Sequence, residues 1–347
     1  MRKLISAVAL ATLAVGCSKQ EAPENAASTE VTKPAEPVTL TVYSARKEHL
    51  IKPLFDMYTE KTGVQIQYIT DKASPLLSRL KSEGENTPAD MLITVDAGNL
   101  WKAAEDGVLR SVTSDALESN VPANLQDENN QWFGLSIRAR TIVYAKDRVK
   151  DGELSTYEGL ADDHWKGRLC LRTSKKVYNQ SLVASMISNL GEEKTEQVVS
   201  GWVNNLATDV FSNDTKAMNA VQAGQCDATV VNTYYFGRLQ KKEADANLAI
   251  FWPNQQDRGV HVNISGAGVT KHAKHPEAAT ALLEWLSTEE AQQQFAQLNQ
   301  EYPVNAKVSA SEEVLAWGDF KRDALNVSEA GRLQPAAVKL MDRVNYR

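Results

Sequence analysis

The sequence predicts an α/β fold in two lobes, each built on a mostly parallel sheet with helices on its faces. Three observations carry this: strand and helix patterns alternate from Thr39 to Val95, the alternation resumes after residue 140, and 347 residues suit two domains better than one core.

TLTVYS at 39–44 is a short β-rich run. KEHLIKPLFDMYTEKTG follows, with Leu50, Leu54, Met57 and Tyr58 at helical spacing and Gly63 as terminator. VQIQYIT alternates Val64, Ile66 and Tyr68 as a strand does; SPLLSRLKSEG reads as a helix ending at Gly84, and ADMLITV at 89–95 as a third strand. These are βαβ units. In the second part TIVYA and GRLCLRT continue the alternation, SLVASMISNL and MNAVQAG read as helices, and DATVV as a strand. Near residue 263 the pattern changes to SGAGVT, and a long helix starts at Pro276 with Leu282, Leu283, Leu286, Phe295 and Leu298. Within it Ser287 and Glu290 resemble a capping box, which would break it in two.

The N-terminus reads as processing signal. Arg2 and Lys3 precede the apolar LISAVALATLAV, and small residues lead to Cys17. Residues 13–17, LAVGC, resemble the bacterial lipobox, which implies cleavage before Cys17 and acylation of its sulfur; a plain signal peptide with an incidental cysteine is the alternative. Removing residues 1–16 takes away two basic residues, so the charge becomes 36 − 44 = −8 over 331 residues. From Cys17 to residue 37 the chain is rich in Ala, Glu, Pro, Ser and Thr, a flexible tether with little to bury. The expectation is a periplasmic lipoprotein of a Gram-negative bacterium, held to a membrane by its acyl chain alone.

Composition removes several functions. A net charge of −6 without a long Lys/Arg run lacks the footprint of a nucleic-acid binder. Cysteines at 17, 170 and 226 form no CxxC pair, which excludes Cys-rich zinc and iron–sulfur sites. After export Cys170 and Cys226 are free to pair or to remain as buried thiols. GxSxG, Walker-type, HExxH and GxGxxG signatures are absent, so a secreted hydrolase lacks a nucleophile with a base.

Parallel sheets place ligands beyond the carboxyl ends of their strands. Those positions hold Tyr43 to Arg46, Thr173 to Tyr178, and Asn232 to Tyr235. A phenol ordinarily ionises near pH 10, and a hard trivalent cation displaces its proton. Three phenolates would neutralise Fe(III). Taken alone, Tyr234-Tyr235 reads rather as aromatic packing, or as stacking on a sugar or an amine. Arg138 and Arg140 alternate in SIRARTIVY and so share one face of a strand, as ion pairs or as a fork for an anion or phenolate. His272 and His275 read as a solvated loop, and His261 stands alone.

Together YSAR, EGENTPADMLITVDAGNLW, WFGLSIRARTIVY, WKGRLCLR, YNQSLVAS, VVNTYYFGRL, HVNISGAGV and EYPV resemble the periplasmic ferric-ion-binding proteins of iron ABC importers, in particular their cyanobacterial-type branch. The likeness is collinear from about residue 39 to 305. It implies the type II periplasmic-binding fold with its ligand in the interlobe cleft, one lobe from residues 38–138 and 264–304 and the other from 139–263 and 305–347. It also implies a non-enzymatic, monomeric component that passes Fe(III) to an inner-membrane permease. Tyr178, Tyr234 and Tyr235 match the family's metal-binding tyrosines, Arg138 an arginine behind the metal, and Asn232 an anion-binding asparagine. Where cyanobacterial members carry a His-Tyr pair after YSAR, this chain has Lys47-Glu48. The first lobe's ligand is therefore Glu48, His49 or neither, with carbonate or another small anion, steadied by Arg46 or Arg138, completing the shell. A binding protein for a small organic cation of the thiamine or polyamine type is the alternative, with the tyrosines forming an aromatic cage.

Overall fold

A computed structural model describes residues 38–347; the expected export signal, Cys17 and tether lie outside the described residues. The first part alternates as its periodicity predicts, through β1 (Thr39–Ser44), α1 (Glu48–Thr62), β2 (Gln65–Thr70), α2 (Ala73–Glu83) and β3 (Met91–Thr94). β1 lies between β2 and β3 and runs parallel to both. α1 buries Leu50, Ile51, Leu54, Phe55 and Tyr58 along one face. It ends where Gly63, at φ 77°, turns its N–H to the Thr59 carbonyl. Two helices absent from the sequence reading follow, α3 (Ala97–Glu105) and α4 (Asp115–Asn120). Both start at side-chain caps: Asp96 accepts from the Asn99 N–H and Ser114 from the Leu117 N–H.

β4 (Phe133–Ala145) is one 13-residue strand, buried along nearly all its length. Beyond it come β5 (Leu169–Cys170), α5 (Val177–Leu190), α6 (Glu192–Asn204), α7 (Asp214–Gln222), β6 (Ala228–Asn232), α8 (Thr233–Lys242) and β7 (Leu248–Phe251). The chain returns through β8 (Val262–Val269), α9 (Pro276–Ser287), α10 (Glu289–Asn299) and β9 (Tyr302–Pro303). It finishes with α11 (Glu312–Leu315), α12 (Ser328–Arg332) and α13 (Gln334–Arg343).

The strand order is β2-β1-β3-β8-β4-β6-β5, with β7 and β9 also on β4. β4 changes partners midway. Its residues up to Ala139 pair antiparallel with β8, and from Arg140 onward with β6 and β7. The sheet is thus mixed rather than mostly parallel, because β4 and β8 run against their neighbours while β1–β3 and β5–β6 keep the parallel order.

The long helix does break in two, but Thr288 caps the second piece instead of Ser287. The Ser287 hydroxyl donates to the Glu284 carbonyl inside α9, and Glu290 is taken by Lys61 and the Trp285 indole. The capping box therefore does not form. Cys170 and Cys226 are disulfide-bonded across 56 residues, tying β5 to the segment before β6.

α12 packs on both α3 and α5, touching the two halves of the fold at once. A methyl group at Gly331 would stand 2.5 Å from the Trp101 Cβ. On an open helix surface Gly→Ala gains about 1 kcal/mol. Here Gly331→Ala is expected to destabilise by roughly 1–3 kcal/mol in denaturant unfolding, because overpacking outweighs propensity. A gain in stability would contradict the close seat on Trp101.

Candidate metal centre

Strand ends from both halves of the sheet open on one cavity of about 190 Å³. Arg46 and Lys47 follow β1, Arg138 sits near the partner switch of β4, and Glu301 and Asn299 close the wall beyond α10. The opposite wall is aromatic: Tyr178 is the second residue of α5, and Tyr234 and Tyr235 lie in the first turn of α8. β6 passes directly into α8 at Asn232 and Thr233, so the tyrosine pair is presented on a tight strand-to-helix turn. The two rings lie 4.5 Å apart at 38°.

Burial pushes ionisation of the Tyr234 phenol well above the ordinary tyrosine range, the phenols of Tyr178 and Tyr235 push it further, and Arg138 opposes them. Without a metal Tyr234 is neutral.

The cationic wall is only partly paired. Arg46 donates to the Glu301 carboxylate at 2.7 Å and the Ser265 hydroxyl at 2.8 Å, while its Nε has no partner. Glu301 also accepts from Ser136 and Asn299, at 2.8 and 2.9 Å. Its burial would raise the carboxyl's pKa, but the Arg46 and Arg138 guanidiniums outweigh that and hold it below the usual range. Arg138 is 2% exposed and stacks 5.6 Å over the Tyr178 ring. It donates to Ser265 at 3.3 Å, and its Nε and Nη2 are buried without an acceptor. Buried polar groups are rarely left so, and two orphaned guanidinium donors beside a cavity await an anionic oxygen.

Behind the tyrosines lies a fully used arginine. Arg140 spends its donors on Asp214 and Asn232 (3.0 and 3.1 Å), twice on Asn179, and on the Val230 carbonyl. It therefore does not reach the cavity beside Arg138, and the two-arginine fork is corrected to one arginine. Arg172 pairs with the other oxygen of Asp214 at 3.3 Å and stacks 5.1 Å over Tyr178. Asn179 adjoins Tyr178, and Asn232 donates to the Tyr234 hydroxyl at 3.2 Å. The Arg140–Asp214–Arg172 group is thus a platform under the phenols.

Tyr178, Tyr234, Tyr235, Arg46 and Arg138 converge on the cavity, while Asn232 stands behind Tyr234 with its carbonyl oxygen already bonded to Arg140. Glu48 and His49 do not line it. Both are exposed, and the Glu48 carboxylate accepts from the Tyr68 hydroxyl at 2.9 Å. Lys47 faces the cavity in their stead. Sequence reasoning missed Glu301, Asn299, Arg172 and Arg238. Arg238, four residues after Tyr234 on one helix, was recoverable from spacing; it stacks over both rings at 5.1 and 5.7 Å and donates to Asn299. Glu301 heads the EYPV motif but carries no local sign of burial. Among the described residues no group of three His, Cys, Asp or Glu side chains forms a metal site.

A family model for bacterial extracellular solute-binding proteins matches residues 53–322. Iron uptake protein A1 of Synechocystis sp. is 44% identical over 320 residues, covering 90% of this chain and 89% of that protein. The structure of Trichodesmium IdiA (FutA) in complex with iron and citrate ligands superposes with a TM-score of 0.86 at 44% identity, covering 89% of this chain and all of that one. Apo FutA2 from Synechocystis PCC6803 gives 0.85 at 40% identity, over 90% of this chain and all of that one.

Glu301→Ala would strand the buried Arg46 charge and is expected to cost about 3–5 kcal/mol in denaturant unfolding at neutral pH. A loss under 1 kcal/mol would mean that water reaches Arg46. In the metal-free protein the raised Tyr234 pKa contributes stability that is fully present below pH ~10 and is lost as pH rises through the folded-state value. Thermal midpoints measured between pH 8 and 11 should accordingly fall less steeply for Tyr234→Phe than for the wild type.

Proposed function

The chain belongs to the bacterial extracellular solute-binding protein family, and on that premise we propose that it captures Fe(III) through the phenolates of Tyr178, Tyr234 and Tyr235. It is the binding component of an ABC importer and hands the ion to an inner-membrane permease. The observation that carries this reading is the convergence of three phenols on a cavity whose charged lining is four cations and one carboxylate. Iron in the names of the relatives supports it.

Charge decides how the site works. A phenol ordinarily ionises near pH 10, and a hard cation turns three of them into three phenolates by displacing their protons. The product balances the 3+ of iron. What remains is the wall itself, where Arg46, Lys47, Arg138 and Arg238 face the single carboxylate of Glu301. That surplus favours a small anion, carbonate or a carboxylate ligand of the citrate kind, on the free donors of Arg138 and Arg46. Glu48 and His49 lie outside the cavity, so the half of the fold that bears β1 contributes cations, and the anion fills the remaining coordination positions. Asn232 acts here through the Tyr234 hydroxyl.

We assign residues 38–138 with 264–304 to one lobe and 139–263 with 305–347 to the other, closing on the ion about the β4 crossing. The protein acts as a monomer without catalysis, anchored through the lipid on Cys17 in the periplasm. The organic-cation reading fits less well. An organic ammonium does not displace phenol protons as a hard metal ion does, and it would meet a wall of like charge with Glu301 already neutralised by Arg46.

Adding Fe(III) to the metal-free protein in weakly buffered solution should release close to three protons per ion and produce a visible phenolate-to-iron charge-transfer band. Phe at position 178, 234 or 235 should reduce both, and unchanged spectra in all three variants would remove the tyrosines from the site. Bicarbonate or citrate should raise the affinity, and Arg138→Ala should lose about ten- to a hundredfold of that gain, as expected for a charge-assisted hydrogen bond. An affinity indifferent to every anion would contradict the anion's place. Acidification should weaken binding, because each phenolate must compete with its proton.

A further inference from the structure

The last residues of the chain reach the platform without touching the cavity. After α13, Asn345 adopts a left-handed φ of 58° and sends Tyr346 back into the core, where it is 3% exposed. Its hydroxyl donates to the Arg172 carbonyl at 2.6 Å and accepts from the Asn179 amide at 2.7 Å. One residue later the Arg347 carbonyl accepts the Ser174 N–H at 3.1 Å. These contacts grip both ends of the segment 172–179, which carries Tyr178.

Each gripped residue bears on that phenol. Arg172 holds its guanidinium over the Tyr178 ring, and Asn179 follows it on α5 and accepts from Arg140. A packing role would need only the ring of Tyr346. Yet the hydroxyl donates and accepts at once in a site closed to water, and burial keeps it protonated by pushing its ionisation well above the ordinary tyrosine range.

We propose that Tyr346 is a positioning residue for Tyr178, its buried hydroxyl tying the C-terminus to Arg172 and Asn179 so that the phenol is aimed into the cavity. The inference rests on the reading of Tyr178 as a metal ligand. It makes the extreme C-terminus part of the metal centre's support.

Tyr346→Phe keeps the ring and removes both hydrogen bonds, while Asn179 retains the Arg172 and Thr173 carbonyls at 2.8 and 3.3 Å. Amide hydrogen exchange of the metal-free variant should quicken about three- to tenfold over residues 172–180, the factor that one lost buried hydrogen bond corresponds to, with the rest of the chain unchanged. In the Fe(III) form the charge-transfer maximum should move and release to a chelator should quicken by a similar factor. Unchanged exchange over 172–180 overturns the proposal whether or not the wild type binds iron. So does faster exchange with an unmoved band and unchanged release. A wild type with no iron band contradicts the iron reading instead, and the exchange result still decides whether Tyr346 orders the Tyr178 segment.

Discussion

A single strand, β4, joins the two halves of the sheet, and the geometry of the cavity follows from it. β4 spends its first half on β8 and its second half on β6 and β7, so the chain must bring both halves of the fold to the point where the pairing changes. Arg138 and Arg140 straddle that point with side chains on the same face. Two residues of offset give them different duties. Arg138 is left with free donors at the cavity, and Arg140 is consumed beneath the tyrosines. An arginine in each place supplies, from one strand, both an electrostatic receptor and the platform that holds the phenols.

The two walls of the cavity then divide the chemistry. The β5–β6 half presents three phenols together with Arg238, and the β1 half presents Arg46, Lys47 and Arg138. The two carboxylates buried at the cavity and its platform are both paired without metal: Glu301 has Arg46, and Asp214 has Arg140 and Arg172. In the proposed function a trivalent ion would reverse the balance on the phenol side and leave the arginines to a second, anionic guest. In this account ion and anion bind as a pair because each corrects the charge the other leaves.

Much of this was legible in the sequence, for identifiable reasons. β3 and β6 have the apolar runs of buried strands, β1 and β2 alternate polar with apolar residues, and the tyrosines stand past strand ends, where parallel order delivers ligands. What stayed hidden depends on distant partners. α8 is ten residues long and begins on the tyrosine pair itself, so its buried face of Tyr234, Phe236, Gly237 and Leu239 spans few turns in which to mark a helix. β4 reads as separate pieces because its alternation is masked by burial on both faces, with Ser136, Arg138 and Arg140 all inside. Glu48 and His49 are candidates by position only; both are exposed off the cavity, and Glu48 accepts from Tyr68 on β2. Glu301 and Arg46 are 255 residues apart, and a pair at that separation leaves no local pattern.

In the proposed centre all protein ligands come from the tyrosine wall, and the facing wall supplies only cations for an anion. An iron-loaded crystal structure with anomalous scattering at the iron edge tests it most directly. The account predicts iron bound by Tyr178, Tyr234 and Tyr235, with non-protein oxygens between the metal and the guanidiniums of Arg138 and Arg46. Iron bound by the Glu48 carboxylate or the His49 imidazole, or lying away from the three phenols, would contradict it.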